Sequence, residues 1–187
     1  MTDFVAVNAL QDLILIKPRR FVDDRGYFSE TYNQAAYQEN GITCDFVQDN
    51  HSLSQNVGTL RGFHFQTPPY AQDKLVRCTR GKILDFAVDI RHGSPEFGTV
   101  TRVELSEENG HQFFVPAGYA HAFYTLEENT EVQYKVSSLY HKKSEGGLAF
   151  DDPALDIEYP IGIQEIVLSE KDRLFPKLAD LPKHFIY

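Results

Sequence analysis

Apolar and polar residues alternate along the middle of the chain. Leu84, Phe86, Val88 and Ile90 fall on one face of an extended segment, and Asp85 and Asp89 fall on the other. That period of two is the signature of a β-strand. Short runs of the same type recur at 13–16, 46–48, 61–66, 75–79, 82–90, 99–105, 111–115, 120–126 and 131–137. Gly, Pro, Asn and Asp separate them, as strand boundaries require. Arg80-Gly81 reads as a hairpin turn between two of these runs. Helical signals are sparse. Residues 33–40 predict a short helix closed by Gly41. Residues 169–175 open on the capping-box-like Ser169-Glu170-Lys171-Asp172 and are cut at Pro176. The pattern predicts one all-β domain over 1–187, an antiparallel sandwich or barrel of jelly-roll type with a few short peripheral helices. Such a fold can hold a ligand between its sheets, lined by alternate residues of several strands.

Composition narrows the partners. The chain has 187 residues, enough for a hydrophobic core without staples. It carries 27 acidic against 18 basic residues, a net charge of −9. No nucleic acid and no anionic membrane is expected as a general partner. An anionic small molecule would need a local cluster of Arg and Lys. Cys44 and Cys78 form no CxxC pair, which argues against a disulfide framework or a zinc site. Met1-Thr2-Asp3-Phe4 starts no basic and apolar leader, so a reducing cytoplasm is the expected location.

Two segments carry the chemistry. One is Leu60-Arg61-Gly62-Phe63-His64-Phe65-Gln66, continuing to Lys74 and Gly81. The other runs from Gly110 through Val115-Pro116-Ala117-Gly118-Tyr119-Ala120-His121. Their spacing resembles the two motifs of the cupin superfamily, in which three His and a Glu hold a transition metal. Here His64 and His121 occupy ligand-like places, but Gln66 replaces the second His, and no Glu lies between Gln66 and Gly81. Two His and a neutral amide are a poor cage for a transition metal, so no metal is expected.

The same residues suit proton transfer. A neutral imidazole at His64 is a base near neutral pH. Lys74 would stabilise negative charge on an oxygen. Arg61 would do the same if a bulge at Gly62 brought it to the face of His64. Tyr134, in Val132-Gln133-Tyr134-Lys135-Val136, could pack or donate a proton. Structural readings compete: a hydrogen-bonded strand His, a core Tyr, solvated Lys74 and Arg61, and Asp172 as part of a helix cap.

Further runs identify a family. They are Asp24-Arg25-Gly26-Tyr27-Phe28-Ser29-Glu30, Phe46-Val47-Gln48-Asp49-Asn50-His51-Ser52, Lys74-Leu75-Val76-Arg77, Asp151-Asp152-Pro153-Ala154-Leu155 and Leu168-Ser169-Glu170-Lys171-Asp172. In order and spacing with the two segments above, they make the chain resemble the dTDP-4-dehydrorhamnose 3,5-epimerases, cupin-type jelly rolls, over nearly its whole length. The resemblance implies His64 as base, Asp172 as its carboxylate partner and Tyr134 as the acid on the opposite face of the sugar. It implies Lys74 and Arg61 at the enolate oxygen. It places Arg25, Glu30, Gln48, Asp49, Asn50, Arg61, Lys74, His121, Glu145 and Lys171 around a nucleotide-diphosphate sugar, with no cofactor. It also implies a homodimer in which the partner completes the pocket. Leu139-Tyr140 stands where many members carry two adjacent tyrosines, Ala122 where Gly is common and Phe114 where Trp is common. A single-carbon epimerase, an epimerase of another nucleotide's sugar, a metal-dependent cupin and a non-catalytic sugar-nucleotide binder are the alternatives.

Overall fold

A computed structural model describes residues 2–160 and 162–187. The strands in chain order are β1 (Asp3–Ala6), β2 (Ile14–Lys17), β3 (Arg20–Asp23), β4 (Gly26–Ser29), β5 (Gln48–Ser54), β6 (Leu60–Gln66), β7 (Lys74–Arg80) and β8 (Lys82–Asp89). They continue as β9 (Arg91–His92), β10 (Val100–Ser106), β11 (Gln112–Val115), β12 (Tyr119–Thr125), β13 (Thr130–Val136), β14 (Glu145–Gly147) and β15 (Phe185–Ile186). Among the described residues, a six-stranded antiparallel sheet, β1-β2-β11-β7-β13-β5, faces a five-stranded antiparallel one, β10-β8-β12-β6-β14. This is a cupin-type jelly roll, as the pattern of short strands predicts.

Three apolar layers hold it. Val76, Phe113, Val115 and Val132 of the large sheet pack against Ile83, Ala87, Leu105 and Phe123 of the small one. Helix α1 (Gln34–Glu39) covers the outside of the large sheet through Tyr37, which packs with Ile42, Ile14, Ile16 and Phe114. Asn33 caps α1 by accepting from the Ala36 N–H at 3.3 Å, and Gly41 follows at φ +88°, so the predicted helix and its stop signal are both present. The C-terminal segment covers the outside of the small sheet, where Leu148, Leu155, Ile166 and Leu178 meet Phe63, Phe65, Phe86 and Val88.

That last layer corrects a natural reading of β8. Its apolar face, Phe86 and Val88, looks outward under the C-terminal segment. The face with Asp85 and Asp89 points inward, and both carboxylates are fully buried. A second correction concerns Arg80-Gly81. β7 and β8 lie in different sheets: Arg80 pairs with Glu131 and Lys82 with Ser106. Gly81, at φ +74°, carries the chain between sheets and closes no hairpin. The predicted helix at 169–175 is a single 3-10 turn, Asp172–Leu174. The hairpin β3–β4 was not anticipated. Among the described residues no helix is long and apolar enough to cross a membrane.

Candidate active site

Period-2 geometry builds the site from both sheets. On the large sheet, Asn50 pairs with Tyr134, Tyr134 with Val76, and Val136 with both Gln48 and Lys74. Gln48, Asn50, Lys74 and Tyr134 therefore share the inward face. On the small sheet, His121 pairs with His64, but Phe123 pairs with Arg61. Two residues, Gly62 and Phe63, thus lie opposite Ala122 alone. This is the bulge that Arg61 required, and it turns Arg61 and His64 to the same side. Gly62 sits at φ +135°, where a Cβ would come within 2.4 Å of the Ala122 Cβ, so no other residue fits.

These side chains line a cavity of about 870 Å³. His64, Asp172, Tyr134, Lys74 and Arg61 all reach it, as do Gln48, Asn50, His121, Glu145 and Lys171. Its walls hold Arg61, Lys74 and Lys171, so most of the cationic cluster expected of an acidic chain is in one place.

His64 Nε2 lies 2.8 Å from Asp172 Oδ1. Burial pushes the Asp172 carboxyl up, but hydrogen bonds and charge from His64, with bonds from Ser169 and the Gly62 backbone, outweigh it. The net direction is below the usual carboxylate range. An ionised carboxylate can only accept, so Nε2 carries the proton and Nδ1 keeps its lone pair. Asp172 is not merely a cap residue. Its backbone N–H donates to Ser169 Oγ at 3.1 Å, which leaves the carboxylate for the imidazole. Phe175 packs edge-on against His64 with ring centroids 5.7 Å apart, and lies against Gly147, where a Cβ would meet its ring at 2.3 Å. The imidazole is thus fixed by a carboxylate and by an aromatic edge.

Lys74 reaches across from the other sheet and donates to the His64 carbonyl at 3.0 Å. Burial pushes its ammonium down to about 8, against the opposing pull of Asp85. Arg61 is held by Ser54 Oγ at 3.1 Å and the Leu53 carbonyl at 3.0 Å. Burial pushes the Tyr134 phenol up, partly offset by Arg61. At the mouth, Lys171 and Glu145 form an ion pair of 2.5 Å, and Tyr140 donates to Glu145 at 3.3 Å.

The donor set does not suit a metal. His64 and His121 are each committed to a carboxylate, Asp172 and Asp85, at 2.8 Å. The Gln66 amide donates to the Tyr70 and Leu139 carbonyls and accepts from the His141 N–H. Gln66, at the place of the missing His, is therefore a tie between two loops. Among the described residues no group of three His, Cys, Asp or Glu could hold a metal ion.

Three expected residues lie outside this chain's cavity. Asp49 is on the outer face of β5, between the inward Gln48 and Asn50, and pairs with Lys135 at 2.9 Å. Arg25, at the tip of β3–β4, pairs with Asp23 in solvent. Glu30, just beyond β4, accepts from Asn33 at 3.1 Å. One residue that sequence reasoning missed is Asp85, buried behind His121. Its signal was a carboxylate in the middle of a largely apolar strand, but only the strand register places it beside His121.

The fold is shared with known proteins. The family model of dTDP-4-dehydrorhamnose 3,5-epimerase matches residues 8–180. A dTDP-4-dehydrorhamnose 3,5-epimerase of Sinorhizobium fredii is 49% identical over 96% of this chain and 91% of its own. The crystal structure of the Legionella pneumophila dTDP-6-deoxy-D-glucose-3,5-epimerase, in complex with dTDP-4-keto-L-rhamnose, superposes with a TM-score of 0.94. It is 39% identical, covering 100% of this chain and 99% of that one. A 3'-monoepimerase of Streptomyces bikiniensis in complex with dTDP-quinovose gives a TM-score of 0.83 at 32% identity, covering 90% and 84%. With a family model spanning most of its length, the chain belongs to the dTDP-4-dehydrorhamnose 3,5-epimerase family of carbohydrate isomerases.

Proposed function

We propose that the chain inverts C3 and C5 of a dTDP-4-keto-6-deoxy-hexose, converting dTDP-4-dehydro-6-deoxy-D-glucose to dTDP-4-dehydro-L-rhamnose. The observation that carries this reading is one cavity in which His64, backed by Asp172 of the C-terminal segment, rises from one sheet and Tyr134 from the other. Both carbons flank the C4 ketone. His64 Nδ1 removes the α-proton, and the electron pair moves onto the ketone oxygen as an enolate. Lys74 and Arg61 stabilise that oxygen. Tyr134 returns a proton from the opposite face, which inverts the carbon. Substrate and product are isomers, so no electrons enter or leave and the step needs no redox cofactor. In D₂O, a Tyr134→Phe variant should still exchange the α-proton through His64 but return it to the same face. Inversion at the wild-type rate in that variant would remove Tyr134 from the acid's role.

The diphosphate is met by Arg61 and Lys171, and by Arg25 supplied in trans from a homodimer partner, whose Glu30 accepts from a hydrogen-bond donor elsewhere on the nucleotide-sugar. The support is the β3–β4 hairpin. Its Phe21, Val22, Tyr27 and Phe28 are between 51% and 78% exposed, an apolar arm left largely open, with Arg19 over the Phe21 ring and Arg20 over the Tyr27 ring. Arg25 and Glu30 flank its second strand, away from their own chain's cavity.

Leu139 bears on the single-carbon alternative. Its side chain is exposed and does not line the cavity, and its backbone carbonyl is the part that is held, by Gln66. The phenol absent at this position is thus not a member of the base–acid pair, which favours double over single epimerisation.

A further inference from the structure

We propose that Asp85 is a positioning residue for this reaction: it fixes which nitrogen of His121 faces the substrate and supplies the counter-charge that keeps Lys74 an ammonium at the enolate oxygen. The proposal rests on the epimerase reading given above.

The geometry starts from register. His121 pairs with Ala87, and Asp85 pairs with Phe123, so His121 and Asp85 are diagonal neighbours on the inward face of the small sheet. His121 Nε2 lies 2.8 Å from Asp85 Oδ1. Asp85 is fully buried, while His121 lines the cavity. With Asp85 ionised, Nε2 is the protonated nitrogen, and Nδ1 is the acceptor offered to a sugar hydroxyl. Burial favours the neutral imidazole, against the pull of Asp85.

The other oxygen, Asp85 Oδ2, is buried with no hydrogen-bond partner. A half-bonded carboxylate in a dry interior is costly unless a charge compensates it. Lys74 is the available charge. The titratable and charged groups that share the cavity with Lys74, or act on it from behind, are His64 and Arg61 of β6, Asp85 of β8, His121 of β12, Tyr134 of β13, and Tyr140, Glu145, Lys171 and Asp172 from the later part of the chain. Three of these are carboxylates. Asp172 is engaged by His64, and Glu145 is engaged by Lys171 at the mouth. Asp73, next to Lys74 in the chain, is bonded to the Ala117 N–H and Ser137 Oγ. Asp85 is the anion left for Lys74, and the two pull each other toward their charged forms. Burial works against both: it pushes the Asp85 carboxyl up, with His121 and then Lys74 opposing it.

The consequence is specific. Remove the charge of Asp85 and Lys74 loses its proton at a lower pH, since burial then acts unopposed. A purely structural Asp85 would change the rate equally at every pH. The test is the pH profile of kcat/KM for wild type and Asp85→Asn, with folding checked by thermal melting. Wild-type turnover with exchange at the sugar carbons establishes the reading on which this rests. The alkaline limb of Asp85→Asn should then move down by about one unit or more, a loss of about tenfold on that limb. Superimposable limbs would overturn the role assigned to Asp85 while leaving the epimerase reading intact. Should Asp85→Asn fail to fold, ¹⁵N NMR of the histidine side chains in the unmodified protein decides. A neutral His121 protonated on Nε2 supports the proposal; a proton on Nδ1 contradicts it.

Discussion

His64 and Asp172 are 108 positions apart in sequence and 2.8 Å apart in space. The strand that presents His64 and the turn that presents Asp172 have no local relationship. Only closure of the C-terminal segment over the small sheet joins them. A His–carboxylate pair at a cavity wall, with the imidazole half open and the carboxylate buried, suits a base whose tautomer and orientation are set from behind.

Replacing Asp172 by Asn should therefore lower kcat about 10²–10⁴-fold, equivalent to roughly 3–5 kcal/mol of activation free energy. The stability cost should be smaller, about 1–3 kcal/mol for one lost charge-assisted bond, because the Ser169 bond to the Asp172 backbone is retained. Steady-state kinetics beside urea unfolding checks the comparison. Normal turnover with a large loss of stability would return Asp172 to a structural role.

The pH dependence follows from Lys74. A solvated lysine ammonium titrates near 10.5, and here burial brings it to about 8. The ammonium is the form that stabilises an enolate. Activity should thus be present below about 8 and fall as pH rises through that value. A kcat/KM profile that stays flat well above it would mean that Lys74 is not the group at the oxygen.

Subunit mixing tests the arm. Arg25→Ala and His64→Asn should each be nearly inactive as homodimers. If Arg25 acts on the partner's cavity, a heterodimer of the two holds one complete site. Random reassortment should then recover about a quarter of wild-type activity. No recovery after verified exchange of subunits would place Arg25 in its own chain's site or outside any site.

Leu139→Tyr should leave kcat/KM within about twofold, as expected of an exposed position away from the reacting groups. A change in the ratio of exchange at C3 to exchange at C5 would show instead that this rim position governs completeness.

Much of this was legible in the chain. Alternation in β6 places Phe63 and Phe65 on the face opposite His64, as found, and the need for Arg61 beside His64 called for the bulge found at Gly62. Alternation also separates Asp49 from Gln48 and Asn50, which the motif as a run obscures. What the chain did not reveal is which face of a strand another layer covers. Asp85 and Asp89 belong to the polar face of β8, yet that face is the interior, because the C-terminal segment covers the apolar one. Likewise a Gly after a strand marks a change of direction, and Gly81 makes one, but the choice between a hairpin and a change of sheet depends on distant partners. The Asp172 carboxylate was ambiguous for the same reason: a local cap and a contact with His64 are both compatible with Ser169-Glu170-Lys171-Asp172.

Proton exchange tests the central claim most directly. The protein is incubated with dTDP-4-keto-6-deoxyglucose in D₂O, and deuterium is located in the sugar by NMR. Incorporation at both C3 and C5, with inversion, is the expected result, abolished in His64→Asn. No incorporation at either carbon would contradict the assignment of His64 as the base of an epimerase, and incorporation at one carbon only would contradict double inversion.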